Sequence, residues 1–388
     1  MKINVVIPSF YPAVIYGGPI VSTYHACTEL AKLKDIFITV STTNANMKCR
    51  LDVATDRWIP LNQFYVKYYN ETFVGKFSFS LFLKIWKDIK ESDVVHIQAI
   101  FNASTPISLF YSKLYQKPVL LSPRGCLGEW CLRNKYGLKK FWLTYIIGPL
   151  LGNTVWHSTS LQEKKEILNI FPNAEVSVIP NGIEYETYMV SDKFNRAEYI
   201  NKYTGLHLDA EKIVISMGRI HVKKGFDILI NSFAAVVKEF PTAKLLIAGD
   251  DEGELPALLS LIQKLKLTKA VFFVGPVSGR NKINFFANAD LFCLPSHNEN
   301  FGNVYVESLA AGTPIVASTN TPWSEVEDGQ CGKWVPNDIK PTSDAMIEML
   351  RKDMQAVRQY SQRHASNYDW GNIAMEFKKL FEKLIHKN

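Results

Sequence analysis

Several familiar chemistries have no carrier in this chain. Only six of its 388 residues are Cys, at positions 27, 49, 126, 131, 293 and 331, and no two form a Cys-x-x-Cys pair. That usage fits reduced thiols and argues against a disulfide scaffold or a zinc site. Gly-x-x-x-x-Gly-Lys-Ser/Thr, Gly-x-Ser-x-Gly and His-Glu-x-x-His are all missing, so P-loop, serine-hydrolase and zincin readings fall away. No Asp-x-Asp occurs to hold a divalent metal; Asp250 and Asp251 are adjacent rather than spaced. The first seven residues enter a strand at once, so no signal peptide is expected. The longest apolar run, residues 141–151, is about half of what a bilayer span needs. Low-complexity segments and short repeats are absent.

What remains is a globular composition, 47% hydrophobic with mean hydropathy −0.04, and enough length for two cores. Net charge is +7 and uneven. Residues 1–190 hold 20 Lys/Arg against 14 Asp/Glu, and residues 191–388 hold 24 against 23. A basic first half suits an anionic membrane surface or an anionic acceptor, or is an ordinary solvated surface. No nucleic-acid-binding signature accompanies it, so no nucleic acid is expected.

Strand-like and helix-like segments alternate throughout, which predicts an α/β protein with doubly wound parallel sheets. The first series runs to about residue 180. Residues 44–78 resist assignment apart from a short strand at 64–66. Residues 126–142 interleave Trp130, Phe141 and Trp142 with Arg133, Lys135, Lys139 and Lys140. They fit either a lipid-headgroup contact or a long buried helix with a basic flank. Residues 183–211 are polar and weakly patterned, the best domain boundary. A second alternating series follows, and helices are expected at 341–365 and 370–386. Two α/β domains in tandem imply a cleft between them.

The most informative stretch is residues 295–317. A buried strand leads into the polar loop Ser296-His-Asn-Glu-Asn300, then Gly302, then a short helix capped by Asn303 and closed by Gly312. Loops at the carboxyl ends of parallel strands carry ligands. Glu299 and Glu307 bracket a helix N-terminus, whose free N–H groups and dipole suit a phosphate, while carboxylates accept from hydroxyl pairs. The same spacing also fits a solvated loop before an amphipathic helix. Gly218-Arg219 ends another strand and Lys223-Lys224-Gly225 precedes the next helix. Arg219 and Lys224 thus offer two cations to a diphosphate leaving group. The exit of the strand at 94–97, Gln98-Ala-Ile-Phe-Asn102, is a further candidate loop. His157 and His297 read as structural hydrogen-bonders.

Taken together these residues resemble retaining GT-B glycosyltransferases of glycosyltransferase family 4. Glu299-Asn-Phe-Gly-Asn-Val-Tyr-Val-Glu307 is similar to the family's Glu-x7-Glu motif, and Gly218-Arg219 with Lys224-Gly225 to its phosphate-binding pair. Residues 178–183, 246–249 and 310–317 resemble its other signatures. Gly17-Gly18 looks like its N-terminal glycine loop, and Ser122-Pro-Arg-Gly125 resembles a bacterial subgroup that builds surface polysaccharide.

The resemblance implies a GT-B fold, two Rossmann-like domains facing each other across a cleft, with residues 1–187 plus 371–388 on the acceptor side and 188–370 on the donor side. It implies that Arg219 and Lys224 hold the donor diphosphate, Glu299 the donor sugar and Glu307 the ribose. Asn300 and the backbone of Phe301, Gly302, Asn303 and Val304 would meet the sugar and phosphates. Val277 would border the base, and Gly17, Gly18 and Gly218 would lie near the phosphates. His96 would join the catalytic set, with Gln98, Asn102 and Arg124 toward the acceptor. Where relatives often carry His-x-His this chain has His96-Ile-Gln98.

The expected reaction is metal- and cofactor-independent transfer, with retention, of a hexose or N-acetylhexosamine from a UDP-sugar, or next a GDP-sugar. The acceptor would be a glycan or lipid-linked oligosaccharide of O-antigen, capsule or exopolysaccharide. The setting would be cytoplasmic, with peripheral contact at the inner membrane face. A GT-B nucleotide-sugar 2-epimerase and a non-catalytic sugar-binding module are the alternatives.

Overall fold

The structure, a computed structural model, describes residues 1–73, 75–133 and 135–387. Residue 388, within the expected C-terminal segment, lies outside the described residues. The chain forms two compact units: Met1–Gly182 with the segment from Trp370 onward, and Ile183–Asp369.

The first unit is built on an eight-stranded sheet: β1 Lys2–Val6, β2 Phe37–Thr43, β3 Trp58–Leu61, β4 Phe64–Tyr69, β5 Val94–Gln98, β6 Val119–Ser122, β7 Val155–Ser158 and β8 Glu175–Val178. The spatial order is β8-β7-β6-β5-β1-β2-β4-β3. Pairing is parallel except for β3, which returns antiparallel on β4. Central strands such as β5 are buried at every position, as a parallel sheet covered on both faces requires. One face packs against the helices Gly18–Ala31 and Trp370–Lys387, the other against helices that include Phe79–Lys90. The helix Trp370–Lys387 buries Trp370, Ile373, Ala374, Phe377, Leu380, Phe381 and Leu384. That is one stripe at helical spacing, each large side chain contributing about 1.5–3 kcal/mol of burial.

The second unit carries six parallel strands: β9 Ile213–Met217, β10 Lys244–Ala248, β11 Val271–Gly275, β12 Leu291–Leu294, β13 Ile315–Ser318 and β14 Gly332–Val335. Their order, β11-β10-β9-β12-β13-β14, is the Rossmann order. It reverses between β9 and β12, and ligands of such sheets sit outside the carboxyl ends at that reversal. In the first unit the reversal falls between β1 and β5.

Four segments differ from expectation. Residues 44–78 hold β3 and β4 and a two-residue antiparallel pair, Ala45–Asn46 with Cys49–Arg50; positive-φ turns at Met47 and Asn62 hide the pattern. The long buried helix, one of two readings of residues 126–142, does not form, and the described residues from 126 to 151 are short helical pieces. They break into Glu129–Arg133, Tyr136–Phe141, a π-helical turn Trp142–Ile147 and a 3-10 turn Gly148–Leu150. Tyr136, Leu138, Phe141 and Tyr145 are exposed. The polar stretch 183–211 holds helices Tyr185–Met189 and Arg196–Thr204, the latter started by an Asn195–Glu198 capping box. Its apolar face, Tyr199 and Ile200, is fully buried; the polarity belonged to the solvent side. Residues 341–365 form two helices, Ile339–Arg351 and Met354–Ala365, divided where Asp353 caps the second.

Candidate active site

Both candidate loops of the second unit emerge at the sheet reversal, one after β9 and one after β12. They are joined by backbone: His297 N–H donates to the Lys223 carbonyl at 2.8 Å. Gly225 permits this approach. It sits at φ +67°, and a Cβ there would lie 2.1 Å from the Pro295 carbonyl oxygen, so only glycine fits. The Lys224 stem lies over Gly218, where an added Cβ would come within 3.2 Å of Lys224 Cε.

Lys224 Nζ donates to Glu299 Oε1, and Ser296 Oγ donates to the same oxygen at 2.9 Å. The two side chains are 15% and 12% exposed, so this pair is nearly dry. Burial alone would raise the Glu299 pKa. The Lys224 ammonium, then Lys223 and the Ser296 hydroxyl, outweigh it and hold the carboxyl below its usual range. The chain therefore holds a fixed carboxylate beside a fixed ammonium at the mouth of the sheet.

The turn that follows is braced from beneath. Trp323 Nε1 donates to the Phe301 carbonyl at 2.6 Å, Tyr305 Oη to the Leu294 carbonyl at 2.8 Å, and Ser318 Oγ to the Ser296 carbonyl at 2.5 Å. The helix runs Asn303–Ala310, and its N-cap is Gly302 at φ +79°. This corrects the expected Asn303 cap: Asn303 is the first helical residue, and Gly302 is required because a Cβ there would meet the Tyr305 ring at 2.7 Å. Phe301 is buried, while Asn300, Gly302, Asn303 and Val304 are partly exposed, leaving first-turn N–H groups at the strand ends.

Glu307 sits one turn further along, with Oε1 accepting from Lys282 Nζ at 2.6 Å. Its Oε2 is buried, and the Tyr188 phenol lies within hydrogen-bonding reach of the carboxylate. Tyr188 lies beside it. Burial, then the Glu307 charge, pushes that phenol well above its usual pKa. Lys282 and Tyr188 were missed in the sequence, where nothing local marks them. Arg219 is not part of the Lys224–Glu299 cluster. It is 67% exposed and donates to both oxygens of Glu252 at 2.8 and 3.0 Å. Val277 packs partly buried against the core beside the exposed Pro276.

In the first unit, the loop after β1 carries Gly17 at φ +82°, and Gly18 opens the helix Gly18–Ala31, at the partly to fully exposed start of that helix. The other predicted residues lie at the carboxyl ends of β5 and β6. His157 Nε2 donates to the Ile179 carbonyl at 2.8 Å, so its Nδ1 accepts from Ser122 Oγ at 2.7 Å. With the Ser122 proton spent on His157, Ser122 Oγ accepts from His96 Nε2 at 2.8 Å, and that protonated nitrogen has no lone pair left for Gln98 Nε2, 2.9 Å away. Phe377 covers both rings, its ring centre 5.8 Å from that of His96 and 4.9 Å from that of His157. Burial first, then His157 and Arg124, hold His96 well below the usual imidazole range. His157 is lowered to about 3 by burial and Arg124. Two neutral imidazoles thus pack beside Gln98. Gln98 Oε1 accepts from Arg124 Nε at 2.6 Å, and Arg124 Nη1 donates to Asn181 Oδ1 at 3.1 Å. Asn102 is occupied locally: Oδ1 accepts from Thr105 N–H at 3.2 Å and Nδ2 donates to Thr105 Oγ1 at 3.0 Å, at the start of the helix Ser104–Leu114.

A separate cavity of about 550 Å³, lined by Trp156, Phe171 and Glu175 among others, lies at the amino-terminal edge of β7 and β8. Its Glu175 is paired with Lys383 and Lys387, so it gathers no free reactive group. Among the described residues no cluster of His, Cys, Asp and Glu suits a metal ion, and no helix is long and apolar enough to cross a membrane.

The fold is GT-B, an α/β arrangement of parallel-sheet Rossmann-like units. The chain is similar over its whole length to the solved structure of Anabaena Alr3699/HepE in complex with UDP (TM-score 0.74, 19% identity, 99% of this chain and 100% of that one). Residues 202–366, most of the second unit, match the family model "Glycosyl transferases group 1". Curated relatives include a D-inositol 3-phosphate glycosyltransferase of Corynebacterium urealyticum, 29% identical over 221 residues, 54% of this chain and 52% of the relative. A phosphatidyl-myo-inositol mannosyltransferase of Mycobacterium leprae is 31% identical over 211 residues, 53% and 52% of the two chains. The chain thus spans about half the length of the curated relatives it matches.

Proposed function

We propose that the chain is a glycosyltransferase that moves a sugar from a nucleotide-sugar donor to a hydroxyl acceptor. The observation that carries this reading is the nearly dry Lys224–Glu299 pair at the β9/β12 reversal, beside a helix N-terminus. An ammonium suits the diphosphate, a fixed carboxylate the sugar hydroxyls, and the helix start the phosphates between them. Glu307, a carboxylate on the helix Asn303–Ala310, suits the ribose diol. Arg219 would exchange Glu252 for the diphosphate, and Val277 would border the base. The group 1 family match over the second unit and the UDP held by HepE support a nucleotide-sugar donor, with UDP the first base to try and GDP the next.

Our reading of the chemistry is retention without a metal. The acceptor oxygen attacks the anomeric carbon on the face from which the diphosphate leaves. The carbon–oxygen bond to the diphosphate breaks, its electron pair stays on the departing oxygen, and that oxygen takes the acceptor proton. Lys224 stabilises the charge as it develops. We place the acceptor on the first unit and favour a glycan or lipid-linked acceptor of surface polysaccharide. The names of the curated relatives make an inositol-type acceptor a second choice. The exposed Tyr136, Leu138, Phe141 and Tyr145, interleaved with the exposed Lys135 and Lys140, support contact with an anionic membrane surface.

The test is incubation with UDP-, GDP- and ADP-sugars, with and without mixed glycan acceptors, in EDTA. Acceptor-dependent release of nucleoside diphosphate, with an α-linked product from an α-linked donor, is expected. A new nucleotide-sugar isomer would make the chain an epimerase, and binding without turnover would make it a sugar-binding module. Activity lost in EDTA and restored by a divalent metal would overturn the metal-free mechanism.

A further inference from the structure

Arg124 is a cation whose hydrogen-bonded side-chain partners, among the described residues, are neutral. Gln98 and Asn181 each take one of its five N–H donors. Among the described residues no carboxylate lies within ion-pair distance of it. Glu163 is near enough for its charge to be felt, after burial the largest influence on Arg124, but both its oxygens are committed. Oε1 accepts from Gly125 N–H at 2.6 Å, and Oε2 from Thr159 N–H at 2.7 Å and Thr159 Oγ1 at 3.0 Å. Glu163 thus fixes the loop that carries Arg124 and offsets part of its charge without using its donors.

The guanidinium is also held still. Gln98 is itself buried, 1% exposed, against the His96 ring, so the Nε contact has little room to drift. Arg124 itself sits in a left-handed turn at φ +58°, a conformation that costs about 1 kcal/mol for a residue with a side chain and persists where surroundings impose it. The same sheet edge holds two buried hydroxyls without a partner among the described residues, Ser9 just after β1 and Ser158 at the end of β7. A guanidinium fork with unspent donors is the donor set of an oxyanion site.

We propose that Arg124 binds an oxyanion, a phosphate or a carboxylate carried by the acceptor, at the carboxyl edge of the first unit's sheet. This rests on the glycosyltransferase reading for the word acceptor; the oxyanion site itself does not. It narrows the acceptor class to sugars or lipids bearing a phosphate or a uronic-acid carboxylate.

The test uses the full chain and two probes, inorganic phosphate and glucuronate, titrated by calorimetry with UDP or GDP in excess to fill the second unit's cation site. Wild type is expected to bind one of the two, more weakly as salt rises; the one bound names the source of the oxyanion. Arg124→Gln should weaken that binding at least about tenfold, and Arg124→Lys less, because the charge returns without the fork. Gln98→Glu guards against misfolding as an explanation. It places a carboxylate on the Arg124 donors, so it should raise the melting temperature and yet abolish probe binding, a pairing that a structural arginine would not produce. Equal binding by wild type and Arg124→Gln, or no binding of either probe by wild type, overturns the proposal. Probe binding through Arg124 in a chain that takes no nucleoside diphosphate would keep the oxyanion site and remove the transferase reading.

Discussion

Replacing Lys224 by Ala gives the sharpest examination of the site, because it has two separable consequences. The first is catalytic. Removing one preorganised charge from a developing anion costs about 2.7–4 kcal/mol, or roughly 10²–10³ in turnover. The second is a stability change with a pH signature. Removing one partner of a fully buried ion pair costs about 3–5 kcal/mol. Here the partners are 15% and 12% exposed, so about 2–3 kcal/mol is the better expectation, a melting shift of roughly 6 °C for a unit of this size.

The sign of the pH dependence follows from Glu299. In the wild type its pKa lies below the ordinary value, so it stabilises the fold above the unfolded pKa, and that contribution is lost as pH falls through the folded one. Without Lys224, burial dominates and the folded pKa rises above the unfolded one. The variant should therefore fall furthest behind wild type at neutral pH and recover toward pH 4. Lys224→Ala combined with Glu299→Gln should regain much of the lost stability but none of the activity. Calorimetric melts from pH 4 to 8 and nucleotide release from the best donor measure both. A variant with near-normal turnover would refute the phosphate role, and a pH-independent stability gap would refute the account of the pair.

Other outcomes follow from the same geometry. Glu307→Gln should weaken nucleoside diphosphate binding about tenfold by calorimetry while leaving the melting temperature within a few degrees, since Lys282 remains partly exposed. Gly225→Ala should destabilise the second unit by more than about 2 kcal/mol, through the Pro295 contact and the positive φ together; a neutral melt would show that the loop can shift. His96 and His157 are both held neutral in the folded state. For His157, lowered to about 3, the unfolded chain binds more protons between about pH 6.5 and pH 3, so stability falls as pH falls across that window, by up to about 1.4 kcal/mol per pH unit, and His96 adds in the same direction. Denaturant melts at pH 7 and 5 should show the drop, and His157→Gln should reduce it to the His96 share.

The repeating alternation of apolar runs and amphipathic segments made the α/β class readable, because buried parallel strands and one-faced helices leave strong periodic marks. The loops at residues 218–225 and 296–303 were readable for a similar reason: Gly, Lys and Glu at strand ends are local signals. Partnerships were not. That Arg219 leans on Glu252, Glu307 on Lys282, and Arg124 on Gln98 depends on residues far apart in sequence. The helices at 185–189 and 196–204 were hidden because only two of their side chains, Tyr199 and Ile200, are buried. The exposed aromatics after Trp130 read equally well as core, since periodicity cannot tell a buried stripe from one offered to a surface.

The first unit is closed by a helix that the chain makes after the whole of the second unit. Trp370 packs so tightly on the chain at Gly182 that a Cβ there would lie 2.4 Å from its ring, and Phe377 covers His96 and His157. Until residues 370–387 exist, His96 and His157 lack the Phe377 ring that covers them. During synthesis the second unit can therefore reach its final state first, although it is encoded second. The half that carries Arg124 waits, with one sheet face uncovered, for its own lid.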